Sequence, residues 1–161
     1  MDAAGRTRAE APAPGLNGTA LDALEALLHA VEAKDLPGLK ALMADGAVLV
    51  DPHYPVPRMV GWRAISDGLG WSFGTIETFR FAIIHRSSGA DGSHAAVEVG
   101  CDHVLRGGRH LVFHQVFVAD VWDGRITRLQ AYEPYGPGGL VGLVLRVTRF
   151  GRRVRHAASI S

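Results

Sequence analysis

Two spacings divide the chain. From Thr19 to about Leu69 the apolar residues recur every three or four positions, and from Thr75 to Glu133 they alternate. Leu21, Leu24, Leu27, Leu28 and Val31 form a stripe at helical spacing, with Thr19 as its cap. Asp35 can cap a second helix, with Pro37 and Gly38 in its first turn and Leu39, Leu42 and Met43 as its apolar face. Asp45-Gly46 ends it. A strand is predicted over Ala47–Asp51, followed by a proline-rich loop to Pro57. Trp62, Ile65 and Leu69 mark a short third helix over Trp62–Leu69.

Beyond it, Thr75–Arg86, Ala95–Arg106, Arg109–Trp122 and Arg125–Glu133 read as four long strands. Gly107-Gly108 and Asp123-Gly124 mark hairpin turns. The fold class is therefore α+β, with helices covering one face of a curved antiparallel sheet. A two-residue turn at Gly107-Gly108 sets Leu105 opposite His110, His103 opposite Val112 and Cys101 opposite His114. His103 and His114 then share the more apolar face with Val97, Val99 and Cys101, while Asp102 points away. Val104, Phe113 and Phe117 are assigned to the outer face.

Composition narrows the class. The chain has 161 residues, 47% apolar and 20% charged, with net charge +1. That suits one globular domain and offers no electrostatic case for nucleic acid. Its one cysteine, Cys101, excludes an internal disulfide and suits a reducing, cytoplasmic setting. Residues 1–18 lack the apolar core of a signal peptide and are expected to form a disordered leader. Residues 137–161 carry five arginines and no acid. With Leu140, Leu143, Val144, Val147 and Val154 near helical spacing, they are expected to form a basic amphipathic tail whose apolar stripe either caps the domain or a dimer of it, or makes weak contact with an anionic membrane surface.

The candidate chemistry centres on Asp51, which ends an apolar strand between stiffening prolines. A carboxylate held there, with His53 and Tyr54 beside it, is a candidate general base. Its other reading is a turn or cap acid. His110 and His114 resemble a metal pair, but on a strand they stand about 13 Å apart, four residues at about 3.3 Å each. No metal and no cofactor are expected.

The element order, the segment VDPHYPVPRMVGWRAI and the segment DGRITRLQAYEP are similar to the ketosteroid isomerase branch of the NTF2-like (SnoaL-like) fold. The resemblance covers about residues 20–135. It implies a cone of curved sheet and three helices around an apolar pocket, spanning 19–136, and a homodimer joined through the outer sheet face. The isomerases of this family move a proton beside a carbonyl with an aspartate after the first strand, the position of Asp51. Their oxyanion hole takes a tyrosine from the first helix and a protonated aspartate from the strand after the hairpin. Those positions fall at Leu27 and Val116, neither of which donates a hydrogen bond, so true steroid isomerisation is not expected.

His114, His103 and Tyr54 are the candidate replacement donors. His53, Trp62, Trp71, Val99, Cys101, Val116, Tyr132 and Glu133 are the candidate substrate contacts. Two functions stay open. One is an isomerase, cyclase or dehydratase acting by proton transfer on a hydrophobic small molecule. The other is a non-catalytic binding or accessory protein built on the same cone.

Overall fold

A computed structural model of the protein describes residues 19–133. The expected leader and basic tail lie outside them. No helix among the described residues is long and apolar enough to cross a membrane.

Helix α1 (Ala20–Glu32) begins where expected. Thr19 Oγ1 accepts from the Asp22 amide, and the Asp22 carboxylate accepts in return from the Thr19 N–H. Its buried face, Ala20, Ala23, Leu24, Leu27 and Leu28, packs into the core. Each fully buried leucine there contributes about 1.5–3 kcal/mol. Lys34 (φ 53°) turns the chain out of α1, and its Nζ donates to the Phe73 and Ile76 carbonyls at 3.2 and 2.7 Å. Asp35 caps α2 (Leu36–Leu42) by accepting from the Gly38 amide.

Helix α3 (Gly61–Thr75) runs beyond the expected stop at Leu69, through Gly70 and Gly74. Burial of Leu69 and Ser72 and packing of Phe73 outweigh the weak helix propensity of those glycines.

Seven strands make one sheet: β1 (Met43–Val50), β2 (Arg58–Val60), β3 (Ile76–Thr78), β4 (Phe81–Ser88), β5 (His94–Leu105), β6 (His110–Trp122) and β7 (Arg125–Tyr132). Their order is β2-β1-β7-β6-β5-β3, with β4 also on β5. β1 pairs with β7 in parallel, and every other pair is antiparallel. This is the expected α+β cone: three helices inside a curved, unclosed sheet.

Three expectations need correction. β1 starts at Met43, and the proline-rich loop leads into β2, a short strand that pairs back on β1. The strand expected over Thr75–Arg86 is two strands, broken at Phe79-Arg80 where pairing along β5 jumps from Val104 to Cys101.

The third correction has the largest effect. The β5–β6 loop has three residues, Arg106 to Gly108, closed by the Leu105 N–H donating to the Arg109 carbonyl at 2.8 Å. Gly107 and Gly108 both have positive φ, 100° and 82°. Cys101 therefore faces Phe113, His103 faces Leu111, and Gly100 faces His114. A one-residue change of register exchanges the faces of the whole strand. Phe113 and Phe117 turn inward with Leu111 and Gln115, while His114 and Val116 turn outward.

Candidate functional site

The inner face of the sheet and the three helices enclose a cavity of about 170 Å³. Most of its wall is apolar: Leu27, Leu28 and Val31 of α1, Leu69 of α3, and Phe79, Phe81, Phe113 and Phe117 near or on the strands. Asp51, His53, Tyr54, Ser72, His103 and Gln115 bring polar atoms to it.

Asp51 follows the last residue of β1. Its N–H donates to the Pro57 carbonyl at 2.8 Å and its carbonyl accepts from the Tyr54 N–H at 3.2 Å, so the Pro-rich loop folds back into a turn. Oδ1 accepts the His53 backbone N–H at 2.9 Å, as a turn aspartate does. The same oxygen lies 3.1 Å from His53 Nδ1, and Gln115 Nε2 donates to Oδ2 at 3.4 Å. The residue is 8% exposed. Asp51 is thus both the turn acid and a buried carboxylate on the cavity wall.

Glu133, just past β7, brings Oε1 to 2.5 Å from His53 Nδ1 with its side chain 5% exposed. That oxygen is buried and makes no hydrogen bond, so the contact is an ion pair in a poorly hydrated place. Burial pushes the Glu133 carboxyl above its ordinary range, against the pull of His53. The hydrogen bond to Asp51 raises the His53 pKa, opposed by partial burial and assisted by the charges of both acids. The ring stacks at a tilt on Phe113, 4.6 Å between centres. Donor atoms of Asp51, His53 and Glu133 lie within 4.8 Å of one another, close enough to share either a proton or a divalent ion.

His103 stands elsewhere on the wall, 4% exposed. Burial pushes its pKa down to about 4, so the ring is neutral at ordinary pH. Burial likewise raises the Tyr54 hydroxyl to about 12, where it stays protonated beside Ser72. Tyr54 packs toward Trp71, which is 46% exposed at the cavity edge.

The remaining candidates fall outside the cavity. His114 is exposed on the outer face, across Gly100. Val116 is also outward, paired with Tyr132, itself 50% exposed. Trp62 packs beneath the Lys40 ammonium at 5.4 Å. Val99 and Cys101 are core residues behind the wall, and burial lifts the Cys101 thiol to about 12. The sequence reading missed Gln115. An amide in the middle of a long apolar strand was its signal, obscured by the one-residue register difference.

A family profile described as a SnoaL-like domain matches residues 24–129. No curated protein sequence matches at a significant level. Among solved structures, a LEH-like epoxide hydrolase from Mycobacterium tuberculosis is 28% identical, with TM-score 0.60, over 71% of this chain and 81% of that one. A delta 5-3-ketosteroid isomerase from Mycobacterium sp. is 22% identical, with TM-score 0.64, over 70% and 91%. A second Mycobacterium tuberculosis protein, in complex with estradiol-17beta-hemisuccinate, is 22% identical, with TM-score 0.64, over 70% and 92%.

Proposed function

The chain belongs to the SnoaL-like domain family, and on that footing we propose that its cavity carries out acid–base proton transfer on a hydrophobic small molecule. The observation that carries this reading is the buried Asp51 carboxylate on a mostly aromatic and aliphatic wall, held by His53 and Gln115. In such surroundings a fixed base meets a carbon acid without competing water, and substrate binding supplies the orientation.

Asp51 is the base. His53, whose protonated form its hydrogen bond to Asp51 favours, is the neighbouring acid that can return a proton. Glu133 sets the charge around them. The reaction class is isomerisation, cyclisation or dehydration. Solved relatives that include an epoxide hydrolase, an isomerase and a steroid-bound protein support an apolar substrate. Pairing of two chains through the outer sheet face belongs to the same reading.

A base-sensitive probe tests the proposal without knowledge of the natural substrate. 5-Nitrobenzisoxazole opens to a coloured phenolate when a base removes its ring proton. Wild-type protein should open it faster than Asp51→Asn by about 10²-fold or more. Equal rates, with the probe still bound by both, would remove the base assignment. They would leave the alternative of a non-catalytic binding or accessory module. Leu27 on the cavity wall, where the isomerases carry a tyrosine donor, favours that alternative.

A further inference from the structure

His103 is held at one ring nitrogen and open at the other. The break between β3 and β4 leaves the Arg80 N–H outside both strands, and His103 Nδ1 meets it at 3.3 Å. A backbone N–H can only donate, so Nδ1 offers its lone pair and the single proton of the neutral ring sits on Nε2. The Arg80 carbonyl accepts from the Asp102 N–H at 3.1 Å, which anchors that backbone to β5 beside the ring.

Three phenyl rings then fix the plane of the imidazole. Phe79, Phe81 and Phe113 all meet it edge to face, with centres 5.1, 5.1 and 5.5 Å away. Such edge-to-face packing fixes the orientation of the imidazole ring. Burial is the largest cause of its lowered pKa, with His53 acting in the same direction and Asp102, Glu32 and Asp51 opposing. Among the described residues Nε2 has no hydrogen-bond partner, and the ring forms part of the cavity wall.

We infer that the His103 Nε2–H is the cavity's ligand-binding donor, and that it selects a flat, unsaturated ring compound carrying a carbonyl oxygen. The placement of Phe113 gives the ligand its shape. His53 and His103 both contact this phenyl ring, so Phe113 is a wall shared by the Asp51–His53 pair and the donor. A planar molecule lying against Phe113 spans the two. The oxygen type follows from what Nε2 lacks. Nδ1 is already committed to Arg80, so the ring presents a donor with no acceptor of its own. A carbonyl needs only a donor, whereas an alcohol would bring a proton that this end of the site leaves unpaired.

The inference names the ligand class of the site read above as a proton-transfer centre, and its test separates the two. The probes are 1-indanone and indane, which share a skeleton and differ at the carbonyl. In protein labelled with ¹⁵N-histidine, His103 should show the nitrogen pattern of an Nε2–H neutral ring at pH 7, and 1-indanone should shift Nε2 while indane does not. Titration should give at least about tenfold tighter binding of the ketone, a difference of about 1.4 kcal/mol. His103→Phe should abolish that preference while still binding indane. His103→Gln, whose amide can both accept from Arg80 and donate, should recover part of it.

The ketone preference should also survive Asp51→Asn. If it does and wild type fails to open nitrobenzisoxazole, the base assignment falls and the donor stands. An Nδ1–H tautomer, an imidazolium at pH 7, or equal affinity for the two probes in wild type would overturn the donor, whether or not ring opening is seen. The wild-type spectra and titrations decide the matter even if His103→Phe does not fold.

Discussion

Asp51 divides its contacts between its two oxygens, and that sets what its mutation can reveal. Oδ1 holds the turn by accepting the His53 N–H, while Oδ2 faces Gln115. Asparagine keeps a carbonyl oxygen for the turn, so Asp51→Asn should fold normally while losing the proposed base. The neighbouring groups give stability a definite pH dependence. His53 and Glu133 have raised pKa values, so the folded chain holds protons there that the unfolded chain releases. The His53 contribution is complete below its ordinary value of 6.5 and is lost as pH rises through the folded value. His103 acts oppositely. Its pKa falls from 6.5 to about 4, so its neutral burial costs stability as pH drops through that interval. Exposed Asp22, Asp45 and Asp91, each lowered by hydrogen bonds, add to the acid-side loss. The melting temperature should therefore pass through a maximum. His53→Gln should flatten its alkaline side, and His103→Phe should flatten its acid side between pH 6.5 and 4. A scan of melting temperature against pH checks both signs, and an unchanged acid side in His103→Phe would contradict the burial argument.

Elements whose pattern admits one answer were legible from sequence; those with two answers were not. The starts of α1 and α2 could be read to within a residue because Thr19 and Asp35 stand immediately before them, whereas Met43, expected on the face of α2, opens β1. β6 could not be oriented. Its two faces, Leu111, Phe113, Gln115, Phe117 and Val112, His114, Val116, Val118, are almost equally apolar, so alternation carries no direction. Everything then rested on whether the Gly107-Gly108 loop held two residues or three. Asp51, His53, Tyr54 and Glu133 remained identifiable because their placement depends on strand ends, not on that hairpin. α3 offers a test of element-scale energetics. Gly70 has nothing within 4 Å of an added Cβ, so Gly70→Ala should stabilise the fold by up to about 1 kcal/mol. At Gly68 the same atom would lie 2.3 Å from Met59 Sδ and 3.3 Å from the Tyr54 ring. Met59 is 2% exposed, so overpacking of about 1–3 kcal/mol should outweigh the helix gain. Denaturant melts of the two variants should move in opposite directions, and a stabilised Gly68→Ala would show that Met59 has room to yield.

For the whole molecule, the corrected register changes the surface offered to a second copy. Phe113 and Phe117 are no longer part of it. The outer face instead presents Val112 at 74%, Tyr132 at 50% and Ile84 at 43% exposure, beside Val104 and Val116. His85–Glu98 and His110–Asp102 pairs flank these residues at 2.8 and 2.7 Å. An apolar strip with a polar border is suited to pairing with its own copy. Sedimentation at micromolar concentration should give a dimer, and Val112→Glu should shift it toward monomer while leaving the melting curve cooperative. A wild-type monomer would remove the expectation.

The parallel pairing of β1 with β7 also has a consequence in time. Val50 lies across from Gln130, so the two strands leave the sheet at the same end, one delivering Asp51 and the other Glu133. These acids come from the first and last strands of the described fold, and the His53 ring meets both only after that long loop of chain has closed. Closure over such a separation is entropically the slow part of folding. During synthesis, helices, hairpins and much of the cavity wall can form while the Asp51–His53–Glu133 cluster is still incomplete. The Asp51–His53–Glu133 contact therefore reports completion: a chain stopped before β7 can hold apolar surface together, but it cannot assemble the three-residue cluster.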